Sequence, residues 1–178
     1  KFGKPPVTPI RLGTGLPRII RLEQENEFLK KEKLDLIPEL RIQVSKGLVT
    51  IAGTDIPFSP IEFSYYRYFA ERVKDGLEFE RFSGITVPTS FLKSIVKFHR
   101  ESFPESELFR RDLESMLKTR RDLDIGTVRA NISRANGKLK KALSNTSWIK
   151  LFEIGVKGKR HSRFYGIRVP AEKVLIQN

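Results

Sequence analysis

The stretch TVRANISRANGKLKKAL, from Thr127 to Leu143, constrains this chain most. Val128, Ile132, Ala135, Leu139, Ala142 and Leu143 recur at helical spacing, and the residues between them are almost all Arg, Lys, Asn and Ser. At about 100° per residue, the six apolar side chains fall within roughly 100° of arc, one buried stripe of an amphipathic helix. The opposite side carries Arg129, Ser133, Arg134, Gly137, Lys140 and Lys141. Gly126 and Thr127 mark the start, with Thr127 as the expected N-cap. A glycine midway along a basic face would let the helix backbone come close to a phosphate chain. Two strand-like runs follow, Ile149–Val156 and Ser162–Val169, joined by the basic loop Lys157-Gly158-Lys159-Arg160-His161.

The formal net charge of +13 is unevenly spread. From Thr127 onward there are 12 Lys and Arg against two acids, Glu153 and Glu172, a balance of +10. The first 126 residues hold 22 cations and 19 acids, a balance of +3. A surplus concentrated on a helix and the hairpin after it is the footprint expected for a polyanion. A membrane surface fits less well, because the apolar stripe lacks the large aromatics of an interfacial helix. No apolar run approaches the roughly 18 residues that would span a bilayer. The absence of Cys excludes disulfides, thiolate metal sites and a Cys nucleophile. The start KFGKPPVTP has no apolar signal region, and Lys1 is not an initiator Met, which fits a fragment or a trimmed start. A cytoplasmic protein is the expectation.

Earlier in the chain, residues 1 to about 22 read as an extended arm broken by Pro5, Pro6, Pro9 and Pro17. Gly13-Thr14-Gly15 has no strand before it or helix after it, so it is a turn and not a nucleotide loop. A short charged helix is expected over 23–36, ended by Pro38. The arm and linker thus cover 1–39, and one domain covers 40–178. In that domain Leu40–Val44 and Leu48–Ile51 form a hairpin around Ser45-Lys46-Gly47, with Gly53-Thr54-Asp55 a second turn. Ser59-Pro60-Ile61-Glu62 has the N-cap, N1 proline and N3 acid of a capping box. The helix it opens presents Ile61, Tyr65, Tyr66, Phe69, Ala70 and Val73. Stacking on nucleic-acid bases by Tyr65, Tyr66 or Tyr68 is the minor alternative to a core role. Residues 77–87 read as mixed. A helix opens at Pro88-Thr89-Ser90 and stops before Pro104. Another follows from about Glu105 to Thr119, with Leu108, Phe109, Leu113, Met116 and Leu117 on one side. Val174-Leu175-Ile176 is a last short strand.

These elements make an α+β chain, with a basic helix and hairpin in the order of a recognition helix and its wing. The chain resembles the OmpR/PhoB-type winged helix in Leu48-Val49-Thr50-Ile51, Phe58-Ser59-Pro60-Ile61-Glu62-Phe63, Val128-Arg129-Ala130-Asn131-Ile132-Ser133-Arg134 with Lys138-Leu139, and Phe164-Tyr165-Gly166-Ile167. The resemblance implies a winged helix-turn-helix with an N-terminal β-hairpin and a C-terminal wing hairpin. It departs in the middle, where about 50 residues separate the first helix from the recognition helix and imply an extra helical insertion. Over residues 40 to 176, Ile132-Ser133-Arg134-Ala135-Asn136-Gly137-Lys138-Leu139 and Arg163-Phe164-Tyr165-Gly166-Ile167-Arg168-Val169-Pro170 are also similar to the C-terminal region of CRISPR-associated CARF proteins. That likeness implies a tail to a sensor of cyclic oligoadenylate, with residues 1–39 trailing from the sensor domain.

The leading expectation is therefore binding of nucleic acid, duplex DNA before RNA. Arg129, Ser133, Arg134, Asn136, Lys140 and Lys141 would face base edges and phosphates, since Arg and Asn are able to contact G and A through two hydrogen bonds. Lys157, Lys159, Arg160, His161 and Arg163 on the wing would follow the phosphate backbone. A second expectation is an assembly module, forming a homodimer through the helical insertion Pro88–Thr119 and the arm. A third is RNA cleavage by His161 among the wing cations. The other histidine, His99, reads as a packing residue. No catalytic or metal-binding constellation stands out, the pairs Glu78/Glu80 and Glu105/Glu107 reading as solvated acids, and no cofactor is implied.

Overall fold

A computed structural model of the chain describes residues 26–27, 32, 34–77, 79–83, 85–119, 123–144, 146–159 and 162–178. The chain divides into two units, Lys1–Ile37 and Pro38–Asn178, two residues before the expected boundary. In the first unit, positions 26–27, 32 and 34–35 are helical. The rest of the helix expected over 23–36 and the proline-rich arm lie outside the described residues, as do Arg160 and His161.

The second unit is mixed α and β. Strands β1 (Leu40–Gln43), β2 (Leu48–Ile51) and β3 (Thr54–Ile56) form an antiparallel meander, and β7 (Val174–Gln177) lies parallel to β1 in the sheet order β3-β2-β1-β7. The turn expected at 53–55 lies at Ala52-Gly53 instead, and Thr54 and Asp55 already belong to β3. Ala52 and Gly53 take positive φ, 51° and 76°, which closes a two-residue turn and lets Thr54 pair with Ile51. Alternation buries Leu40, Ile42, Val49, Ile51, Ile56 and Val174 on the inner face.

Helix α1 (Pro60–Lys74) is the hub, packed against β6 (Ser162–Gly166), β7, α2 (Thr89–Ser102) and α4 (Ile125–Ala142). Contact on several sides buries every residue from Glu62 to Ala70, more than the one apolar face that periodicity suggests. Its buried polar groups are satisfied inside. Tyr66 donates to the carbonyl of Phe152 at 2.9 Å, and Tyr68 donates to Glu80 at 3.2 Å. Arg67 pairs with Glu71 and Glu101 at 2.6 and 2.7 Å and stacks on Phe98 at 4.2 Å. Burial pushes the Tyr65 and Tyr68 hydroxyls up to about 12. Enclosed in this way, the three tyrosines are core and present no ring for stacking on a base.

Helix α2 carries the wholly buried His99, whose ring sits 5.6 Å from that of Phe103. Burial, with Arg110 nearby, holds its pKa below the usual histidine range, as suits a packing residue. Helix α3 (Glu107–Lys118) leans on α2 and buries Leu113, with Met116 and Leu117 half-buried. Leu108 and Phe109, from the same expected face, have side chains outside the description.

A three-stranded sheet completes the unit. Strand β4 (Glu80–Ser83) emerges from the stretch that read as mixed and pairs with β6 (Ser162–Gly166). Strand β6 pairs in turn with β5 (Gly155–Lys157), giving the order β4-β6-β5. The expected strand over 149–156 is thus only half a strand. Its first half is a single helical turn, α5 (Ile149–Phe152), because Trp148 and Phe152 meet four residues apart with ring centroids 5.5 Å apart.

Candidate nucleic-acid interface

Helix α4 begins three residues earlier than expected. Its cap is Asp124, whose carboxylate accepts the Thr127 amide at 3.0 Å, so Thr127 lies inside the first turn. The apolar stripe packs as its spacing requires: Val128, Ile132, Ala135, Leu139 and Leu143 are buried, and Ala142 is half-buried. Helix α4 packs against α1, β3 and α5. Ser133, Arg134, Gly137, Lys140 and Lys141 are left exposed.

Between this exposed side and the β5–β6 hairpin runs an open groove of about 450 Å³. Arg129, Ser133, Asn136, Gly137 and Lys140 form one wall, Val156, Arg163 and Tyr165 the other, with Ile132 and Ile154 also lining it. Helix and hairpin therefore share one surface. Two long-range contacts hold the walls together. Asn136 accepts the Ile154 amide at 2.9 Å and donates to the Ile154 carbonyl at 3.0 Å, and Arg129 donates through Nε to the Tyr165 hydroxyl at 3.0 Å.

This geometry changes two expected roles. The Asn136 amide has its oxygen and nitrogen both committed to the backbone of Ile154, so it positions the hairpin instead of reading a base. Lys157 does not reach the groove. It pairs across the sheet with Phe164, and alternation sends residues 157 and 164 to the face opposite Val156, Arg163 and Tyr165. Lys159 is exposed in the β5–β6 turn, where Gly158 takes φ 93° and a Cβ would meet the Ser162 carbonyl.

Pairing of charge separates the two ends of the chain further. In the earlier part, Arg41, Arg72, Arg100, Arg110 and Arg111 each meet a glutamate, as Arg67 does. Among the described residues, Arg129, Arg134, Lys141, Lys159 and Arg163 form no ion pair. Two cations of α4 are engaged: Lys140 lies 3.4 Å from Glu153, and Lys138 lies 2.6 Å from Glu62.

The Glu62–Lys138 pair ties α4 to the start of α1, where Glu62 also accepts the Ser59 amide at 2.7 Å in the expected capping box. Burial raises the Glu62 pKa, but the hydrogen bonds from Lys138 and Ser59 outweigh it and hold the carboxyl below the usual range. A depressed carboxylate contributes stability that is complete above its unfolded value and is lost as pH falls through the folded one. Glu62→Gln should therefore unfold more easily than the parent at neutral pH. The gap should close on acidification below about pH 4.5, as read by chemical denaturation across a pH series.

No group of three or more His, Asp or Glu that could hold a metal ion occurs among the described residues, and none of their helices is long and apolar enough to cross a membrane. No family model, curated protein or solved structure matches the chain. Spacing in the sequence had marked most of the helix wall. Tyr165 and Val156 were missed, although the period-two relation of Arg163 to Tyr165 is a signal that they share a face.

Proposed function

We propose that this chain binds nucleic acid, preferentially duplex DNA, through the groove between α4 and the β5–β6 hairpin. The observation that carries the reading is the set of unpaired cations on both walls of one open groove, in a chain whose other arginines are largely matched to glutamates. A cation left without a carboxylate is available to a phosphate, and each phosphate it neutralises releases counterions. Helix α1, strand β4, helices α2 and α3, the basic helix α4 and the β5–β6 hairpin, with β4 paired beside the hairpin, also follow the order of a winged helix whose helical insertion spans α2 and α3.

In this reading α4 enters the major groove. Arg134 and Ser133 contact base edges, and Arg129, Lys141, Lys159 and Arg163 contact the phosphate backbone. Salt-titrated binding of a labelled duplex tests it. Each phosphate contact contributes a slope of about −0.9 in log K against log salt, so four such contacts predict a slope of roughly −3 or steeper. Affinity that stays flat from low to moderate salt contradicts the proposal.

Gly137 supplies a second check. It sits exposed within α4, and a Cβ there would meet nothing within 4 Å. An interior helical glycine costs about 1 kcal/mol relative to alanine. Gly137→Ala should therefore raise the melting temperature while weakening DNA binding, because the added methyl stands where a phosphate chain would approach the helix. Melting curves and anisotropy titrations of the one variant read both effects.

A further inference from the structure

The three-stranded sheet has a second face that the groove does not use. Its inner face is sealed by Phe82, which stacks near Tyr165, Phe91 and Phe69 at centroid distances of 5.0, 5.1 and 6.4 Å. On the outer face Arg81, Phe164 and Lys157 stand directly opposite one another across β4, β6 and β5. The Arg81 guanidinium lies 5.9 Å from the Phe164 ring centroid. Beside this row, Phe79 lies against Gly166, where a Cβ would come within 2.8 Å of its ring, and the Lys157 ammonium sits 4.2 Å over it. Arg81 and Lys157 are exposed, Phe79 and Phe164 half-buried, and neither cation forms an ion pair among the described residues.

We infer that this outer face is a stacking platform for unpaired bases of single-stranded nucleic acid, separate from the duplex groove. A solvated sheet face is ordinarily polar. Here it carries two aromatic rings, each with a cation over it, which is the pairing that holds single strands: rings stack on bases of any sequence while cations follow the phosphates. The charge argues for a polyanion over an apolar protein partner. The inference does not depend on the groove, because Arg163 and Phe164 point to opposite faces of the same strand.

The test is binding of fluorescein-labelled single strands of about 15 nucleotides, one DNA and one RNA, to the full chain, beside a duplex. Phe164→Leu keeps an apolar side chain and removes the aromatic surface; it should weaken single-strand binding about fivefold or more and leave duplex binding within about twofold. Phe164→Trp should retain single-strand binding, which separates stacking from a folding defect. Arg163→Glu should do the reverse of Phe164→Leu, lowering duplex binding alone. The stronger of the DNA and RNA strands identifies the sugar preferred. The inference is overturned if Phe164→Leu binds single strands as the parent does, if Phe164→Leu and Arg163→Glu weaken both ligands equally, or if polyglutamate displaces the strand as well as an unlabelled oligonucleotide does.

Discussion

Ser133→Glu combined with Arg163→Glu should lower duplex affinity about a hundredfold and flatten its salt dependence. The two residues stand on opposite walls of the groove, Ser133 on α4 and Arg163 on β6. A hydrogen bond to a charged group contributes about 1.5–3 kcal/mol, and every 1.4 kcal/mol is tenfold in affinity. Losing the Arg163 contact accounts for at least tenfold, and two carboxylates facing the phosphates supply the rest by repulsion. The slope of log K against log salt should become shallower by about one unit or more. The fold should tolerate both changes, since Ser133 is exposed and Arg163 forms no ion pair among the described residues. Anisotropy titrations at several salt concentrations, with melting curves as a folding control, give the answer. Affinity within about threefold of the parent would remove the groove from the account.

The largest loss of stability is expected from Asn136→Leu. The amide satisfies both backbone groups of Ile154, a residue only 1 % exposed, and leucine of similar volume satisfies neither. A buried polar backbone group left without a partner costs about 1–3 kcal/mol, so two cost about 2–4 kcal/mol after some relaxation. In a domain of this size the melting temperature should fall by about 10 °C. Because Ile154 leads directly into β5, the hairpin should loosen from α4, and the Ile154 amide should exchange its hydrogen much faster. DNA binding should fall as well, although the net charge is unchanged, because the two walls of the groove are no longer held together. A variant that melts near the parent temperature and protects the Ile154 amide would show that the clamp is dispensable.

What the sequence discloses follows from how local each interaction is. The α4 stripe was legible because Val128, Ile132, Ala135, Leu139 and Leu143 repeat at the helical period and pack where that period points. Ser59 and Glu62 lie three residues apart, and their capping box needs no knowledge of the rest of the chain. The Asn136 clamp reaches 18 residues along the chain to a backbone group, which no side-chain pattern encodes. The second bond to the Glu62 carboxylate, from Lys138, spans 76 residues and is equally invisible. Strand β4 is four residues with a single buried phenylalanine, so it gains its identity only from pairing with β6. The placing of Lys157 turned on register: counting the wing as a string of cations missed that neighbouring positions on a strand face opposite ways.

The most direct test of the central claim is to follow the backbone amide resonances of the full chain as duplex DNA is added. The account predicts that shifts concentrate in 129–141 and 154–166, on the two walls of the groove, while β1, β2, β3, α2 and α3 stay nearly still. Shifts centred on the four-stranded sheet or on the α2–α3 pair, with the groove residues unmoved, would contradict it.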